Sequence, residues 1–134
     1  MKNYENYEHI LVKDMLKQKD RDYYVFLYFT YCPHCNKIKP EFFDFIDSHK
    51  DKKFYLVQMD GEKDAHYFKD VENTEGVPRD EFIKSYVDAS IGKGELKDIG
   101  YYYVPCLYHI VDGKVADMHV AEFDIHDYLQ EISK

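Results

Sequence analysis

Residues Tyr23 to Thr30 read YYVFLYFT, an unbroken apolar and aromatic run that passes almost directly into Cys32-Pro33-His34-Cys35. A short run of this kind, rich in aromatic side chains and without alternation, marks a strand buried on both faces. Such a strand needs a covering layer on each side, so the chain must build a sheet enclosed by other elements. Apolar positions return at helical period after the motif, at Ile38, Phe42, Phe45 and Ile46, and continue to about His49. Pro40 lies within that pattern and should kink the helix, because it lacks an N–H and crowds the carbonyl four residues back. Lys53 to Met59 reads as a second buried strand, ended by Asp60-Gly61. The paired cysteines therefore stand where the first strand gives way to a helix.

With 134 residues and a mass of 16.1 kDa, the chain fits one compact domain, residues 1–134. Leu, Ile, Val and Phe supply about a quarter of it, above the roughly 20% below which disorder is the default reading. Acidic residues outnumber basic ones by 26 to 18, for a net charge of −8. That balance argues against nucleic acid or an anionic membrane as partner, since both need clustered positive charge. The apolar run Tyr23 to Phe29 is far shorter than the ~18–20 residues that span a bilayer. Met1 to Glu8 is polar and acidic, unlike a secretory signal. No membrane insertion and a cytoplasmic location are expected, or an extracytoplasmic one if the sequence is a trimmed form. No internal repeat or low-complexity linker is visible, and a monomer is expected. Three cysteines are too few, and odd in number, for a disulfide-stapled secreted scaffold. The two residues between Cys32 and Cys35 suit either a redox pair or half of a metal site.

Elsewhere the signals are local. Tyr4, Tyr7, Leu11 and Met15 recur at three- and four-residue spacing, which predicts an amphipathic helix closing before Lys17 to Asp22. Residues 62–103 are polar and punctuated by glycine, with short helices expected near Ala65 to Val71 and after Pro78. Val104-Pro105 introduces a strand from Cys106 to Val111. Asp112-Gly113 is a strong hairpin signal, and Lys114 to Val120 should return antiparallel. Asp124 is placed to cap a closing helix whose apolar face is Ile125, Tyr128, Leu129 and Ile132. Two parallel strands joined by a helix, followed by an antiparallel hairpin, make an α/β fold: a mixed sheet flanked by helices.

This series of landmarks resembles the thioredoxin superfamily. The resemblance rests on the buried strand entering CPHC, Pro40 five residues past the second cysteine, Val104-Pro105 opening a strand, and Asp112-Gly113-Lys114-Val115 before a C-terminal helix. The tetrapeptide is similar to that of the DsbA-type disulfide oxidases, and residues 62–103 read as a short helical insertion before the special proline. The resemblance implies a cis Val104–Pro105 peptide beside the cysteine pair, with backbone free to bind an extended substrate segment. It also implies that the segment 62–103 returns beside the dithiol, with Tyr101 to Tyr103 nearest. Two departures stand out: the buried acid six residues before the first cysteine is Phe26 here, and the lysine that usually faces it corresponds roughly to Leu56.

The chemistry of the motif agrees. Thiol–disulfide exchange needs a thiolate attacker and a second thiol that releases the mixed disulfide. A free cysteine is only about 3% thiolate at pH 7, whereas a helix N-terminus favours the anion. Cys32 is thus the expected nucleophile and Cys35, one turn inside the helix, the resolving thiol, with His34 and Pro33 tuning Cys32. Val104, Pro105, Tyr31 and Tyr103 are the expected substrate-binding residues. A zinc site would have to recruit Cys106 and His109, which lack a paired knuckle, so no metal is expected. No cofactor is expected either, since the dithiol is itself the redox group. Cys106 reads as a buried structural thiol.

The partners expected are protein thiols and disulfides and an unidentified redox partner, in a role in cell redox homeostasis. The rival reading is an accessory or interaction protein with little turnover, through a weaker resemblance of the VPCLYHIVDGKV stretch to bacteriocin-transport accessory proteins. CPHC points to an oxidising couple and the cytoplasm to reducing partners, and these two cues conflict.

Overall fold

The computed structural model describes residues 2–61, 65–72 and 75–133. Four strands, β1 (Asp22–Tyr28), β2 (Phe54–Gln58), β3 (Cys106–Val111) and β4 (Lys114–Val120), form one sheet in the order β2-β1-β3-β4. β1 runs parallel to β2 and antiparallel to β3, and β3 pairs antiparallel with β4. Three helices cover the sheet: α1 (Pro33–Ser48), α2 (Arg79–Ser90) and α3 (Glu122–Ile132). The mixed α/β architecture is the one the sequence predicts.

Because β1 lies between two neighbours, every side chain from Tyr23 to Tyr28 is buried, and alternate residues feed two separate cores. Tyr24, Phe26 and Tyr28 point toward α1 and α3, where they meet Ile38, Phe42, Ile125 and Leu129. Phe26 stacks on Phe42 at 4.1 Å and sits in register with Leu56 and Leu107. The position of the absent acid and that of its facing lysine thus form an apolar cross-strand pair. Tyr23, Val25 and Leu27 point to the opposite core, closed by Val12, Met15, Phe68, Phe82, Tyr86 and Ile99.

The second core changes the reading of residues 62–103. Residues 62–64 and 73–74 lie outside the described residues. The rest supplies the layer on the second face of the sheet. Only a 3-10 turn, Ala65–Tyr67, stands where the first short helix was expected, while α2 follows Pro78 as predicted. Ser90, fully buried, donates to the Tyr86 carbonyl at 2.7 Å and accepts the Gly100 N–H at 2.8 Å. This ties the end of α2 to the segment that enters Tyr101 to Tyr103. Phe68, Phe82, Tyr86 and Ile99 from this stretch are core residues.

The N-terminal helix is replaced by two 3-10 turns, Tyr4–Asn6 and Val12–Asp14, around a parallel bridge from His9 to Leu56. Ile10 N–H donates to Leu56 O, and Leu56 N–H to Glu8 O, both at 2.9 Å. A helix fails here because its apolar residues serve different cores. Tyr4 packs on the α1 side, Val12 and Met15 on the other, and Leu11 is half exposed. The segment crosses the open edge of β2 and blunts it. The Asp112-Gly113 hairpin forms with both residues at positive φ, 53° and 74°, the conformation such a two-residue turn needs. α3 begins two residues before Asp124. That carboxylate instead reaches back to the Val120 N–H at 3.0 Å.

Histidine–carboxylate pairs join these layers. His126 on α3 binds Glu41 on α1 at 2.6 Å. His119 on β4 lies between Asp117 and Asp124, at 3.0 and 3.2 Å, and stacks on Tyr128. Burial works against the charged His119 ring, but the two carboxylates outweigh it and raise its pKa. The hydrogen bond to Glu41 and its charge raise that of His126. A group whose pKa rises on folding stabilises fully below its unfolded value, about 6.5 for histidine, and loses that contribution as pH climbs through the folded value. The thermal midpoint should therefore be higher near pH 6 than near pH 8. Scanning calorimetry should show the difference shrinking in His119→Gln.

Candidate active site

The end of β1 decides where the cysteines go. Phe29 to Tyr31 turn the chain out of the sheet, and the Cys32 N–H closes back onto the Phe29 carbonyl at 3.3 Å. Asp60, just beyond β2, holds this turn by accepting from Thr30 Oγ1 at 2.6 Å and Thr30 N–H at 3.2 Å. Burial opposes the Asp60 charge, yet the Thr30 donors leave its pKa below the usual carboxylate value. Pro33 then occupies the first helical position, where a missing N–H costs nothing.

Cys32 is the N-cap of α1, and its Sγ accepts the Cys35 N–H at 3.4 Å. In most helices a serine or aspartate oxygen performs that task. Here a sulfur takes it, so the unpaired N–H groups and positive end of the helix are directed at the atom that would become a thiolate. Cys32 is half-buried and reachable. Cys35 is fully buried against Ile38, Phe42 and Tyr28. Burial drives the Cys35 thiol well above its ordinary pKa, offset in part by a hydrogen bond from the Phe29 backbone. One sulfur is partly accessible at a helix end and the other is held neutral beneath it.

The remaining expected residues cluster unevenly. Pro105 is buried, its peptide with Val104 is cis, and its carbonyl accepts the Ala121 N–H at 2.9 Å. The pairing of Leu27 with Cys106 brings the start of β3 level with the end of β1, and Val104 packs against the same core as Cys32 and Cys35. Tyr31 is 73% exposed beside Cys32. Tyr103 is half-buried, with the Arg79 guanidinium 4.7 Å from its ring centre. Tyr101 packs on the core that contains Cys106, its ring 5.1 Å from that of Phe68, and burial raises its pKa above the usual tyrosine value.

His34 is exposed, but it is not alone. Its Nδ1 lies 2.8 Å from Glu122 Oε1 at the start of α3. Glu122 escapes sequence reasoning because it is 88 residues away and precedes the residue expected to cap the helix. No local signal marks it.

Cys106 is buried on the other side of the sheet from Cys35, and burial lifts its thiol to about 12. His109 points to the opposite face of β3, where it stacks on Tyr24 and meets Asp22 at 2.6 Å. The two donors that a zinc site would have recruited therefore diverge. Among the described residues no group of three or more His, Cys, Asp or Glu could hold a metal ion. Among the described residues no helix is long and apolar enough to cross a membrane.

Comparison with known proteins gives a consistent picture. A family model described as Thioredoxin matches residues 3–100, a span that includes Cys32 and Cys35. Thioredoxin f2 of Chlamydomonas reinhardtii shares 11% identity at a TM-score of 0.56, over 95% of this chain and 94% of its own. Mitochondrial thioredoxin 3 of Saccharomyces cerevisiae shares 13% at 0.55, over 96% and 97%. A chain from a study of thiol resolution in yeast mitochondrial 1-Cys peroxiredoxin via glutathione/thioredoxin systems shares 12% at 0.57, over 97% and 99%. Among curated proteins there is no match.

The burial difference sets an order of reactivity. Limiting iodoacetamide on the reduced protein should label Cys32 well before Cys35 or Cys106, as read by peptide mass spectrometry. Preferential labelling of Cys35 would reverse the assignment of roles.

Proposed function

Because the chain belongs to the thioredoxin family, we propose that it is a thiol–disulfide oxidoreductase acting on protein cysteines, with Cys32 as nucleophile and Cys35 as resolving thiol. The observation that carries this reading is the Cys35 N–H directed at the Cys32 sulfur from the first turn of α1. The Cys32 thiolate attacks one sulfur of a substrate disulfide, forming a mixed disulfide and releasing the other substrate sulfur as a thiolate. Cys35 then loses its proton and attacks Cys32. The Cys32–Cys35 bond forms, the mixed disulfide breaks, and the substrate leaves as a dithiol once its two sulfurs take up protons. Oxidation of a substrate dithiol is the same path reversed. Because the dithiol holds the electron pair, the cycle needs no organic cofactor.

Burial of Cys35 suits the second step. A thiol kept neutral does not compete with Cys32 for the substrate, yet it is one helical turn from the bond it must break. Phe26 and Leu56 leave no carboxylate in that part of the core, so the Cys35 proton must leave by another route. The surface favours proteins over small disulfides. Tyr31 and Phe123, 73% and 76% exposed, flank Cys32 and Glu122 in sequence, and half-exposed Tyr102 lies two residues before Val104. A substrate segment laid along Val104-Pro105 would cover such a rim, and aromatic side chains supply contact area at low entropy cost.

Purified protein should accelerate the reduction of insulin by dithiothreitol, and Cys35→Ser should abolish turnover while accumulating mixed disulfides visible on non-reducing gels. Cys106→Ser should retain turnover near that of the parent. Loss of turnover in Cys106→Ser with retention in Cys35→Ser would overturn the scheme.

A further inference from the structure

The first turn of α1 contains no acidic residue of its own, yet a carboxylate reaches it from the far end of the chain. Glu122 Oε1 stands 2.8 Å from His34 Nδ1, with the Glu122 side chain 14% exposed and His34 58%. A surface pair between two flexible side chains would carry little meaning. This one is built differently. Glu122 opens α3, and the preceding Ala121 is pinned by its N–H to the Pro105 carbonyl at 2.9 Å. Ala121 also holds φ 76° and ψ 157°, a backbone region that residues other than glycine seldom occupy and that needs the surroundings to enforce it. The strained residue aims Glu122 back across the sheet edge at the dithiol motif, and the backbone of the proline strand fixes its position.

From this arrangement, and resting on the redox reading above, we propose that Glu122 is a positioning residue for His34 that makes the Cys32–Cys35 couple more reducing than its CPHC sequence alone would. A lone imidazolium next to Cys32 favours the thiolate, stabilises the reduced form and makes the couple oxidising. With Glu122 in place, a protonated ring belongs to a neutral pair and a neutral ring to a negative one. In either state the carboxylate offsets what the ring it holds would lend to the Cys32 thiolate, so the thiolate is less favoured. The contact also holds the ring in one orientation, with Nδ1 engaged by the carboxylate. The conflict between an oxidising tetrapeptide and the reducing partners expected of a cytoplasmic chain is then eased by a residue outside the tetrapeptide.

The test is the equilibrium with glutathione at pH 7. The reduced protein, with a Cys32 thiolate and a Cys35 thiol, reacts with glutathione disulfide and one proton. Two electrons pass to glutathione, the Cys32–Cys35 bond forms, and two glutathione thiols are released. The uncharged, equally long Glu122→Gln should lower the constant for this oxidation by about threefold to tenfold, equivalent to about 14 to 30 mV for a two-electron couple. Glu122→Asp, which keeps the charge, should shift it by less than half as much. In a His34→Ser background the effect of Glu122→Gln should shrink by at least half. A constant unchanged within twofold, a change of opposite sign, or an equal change in the His34→Ser background would overturn the proposal. Failure of the parent protein to form any reversible disulfide would instead fail the oxidoreductase reading on which it rests.

Discussion

The dithiol depends on β1 being clamped from both faces. Six consecutive buried side chains, Tyr23 to Tyr28, each contribute on the order of 1.5–3 kcal/mol of apolar burial, and they leave the strand no freedom to slide. A one-residue slip would exchange the two cores, sending Phe26 toward Tyr108 and Val25 toward Phe42. With the strand fixed, its exit is fixed too. The turn held by Asp60 places Cys32 at the cap of α1 and buries Cys35 beneath it. The difference between the two thiols is therefore a consequence of packing two turns away, and the chemistry of the pair is inherited from the core.

An acidic chain sets four of its histidines against carboxylates. His34, His109, His119 and His126 each meet a carboxylate within 3.2 Å. The pairs of His34 and His126 both join α1 to α3, the helices that share one face of the sheet. With 26 acidic residues against 18 basic ones, these rings give carboxylates hydrogen-bond partners that lysine and arginine do not. The pair nearest the cysteines touches the redox site, and the others hold the layer in which that site is set.

Much of this architecture is legible in the residues themselves, where the signal is local. The unbroken YYVFLYFT run, the period of Ile38, Phe42 and Phe45, and the Asp112-Gly113 turn each depend on neighbours a few positions away. The element boundaries they predict agree with β1, α1 and the β3–β4 hairpin. The N-terminal helix misleads for a physical reason: Tyr4 and Met15 have helical spacing but are claimed by cores on opposite sides of the sheet. Residues 62–103 look like an insertion because they are polar, yet Phe68, Phe82, Tyr86 and Ile99 are enough to roof the second face. Within the site, the four motif residues can be read from sequence. Glu122 cannot, since only the strained turn at Ala121 and the closure onto Pro105 bring it to His34.

Which sulfurs join on oxidation decides between an attacking and a resolving thiol in this motif and any other pairing of the three cysteines. The reduced protein can be oxidised with an excess of glutathione disulfide, its remaining thiols blocked at acid pH, and its peptides mapped by mass spectrometry without reduction. A Cys32–Cys35 disulfide with Cys106 blocked as a free thiol is the predicted result. A bridge involving Cys106, or Cys32 left as a stable glutathione adduct with Cys35 unreacted, would contradict the assignment of an attacking and a resolving thiol across the first turn of α1.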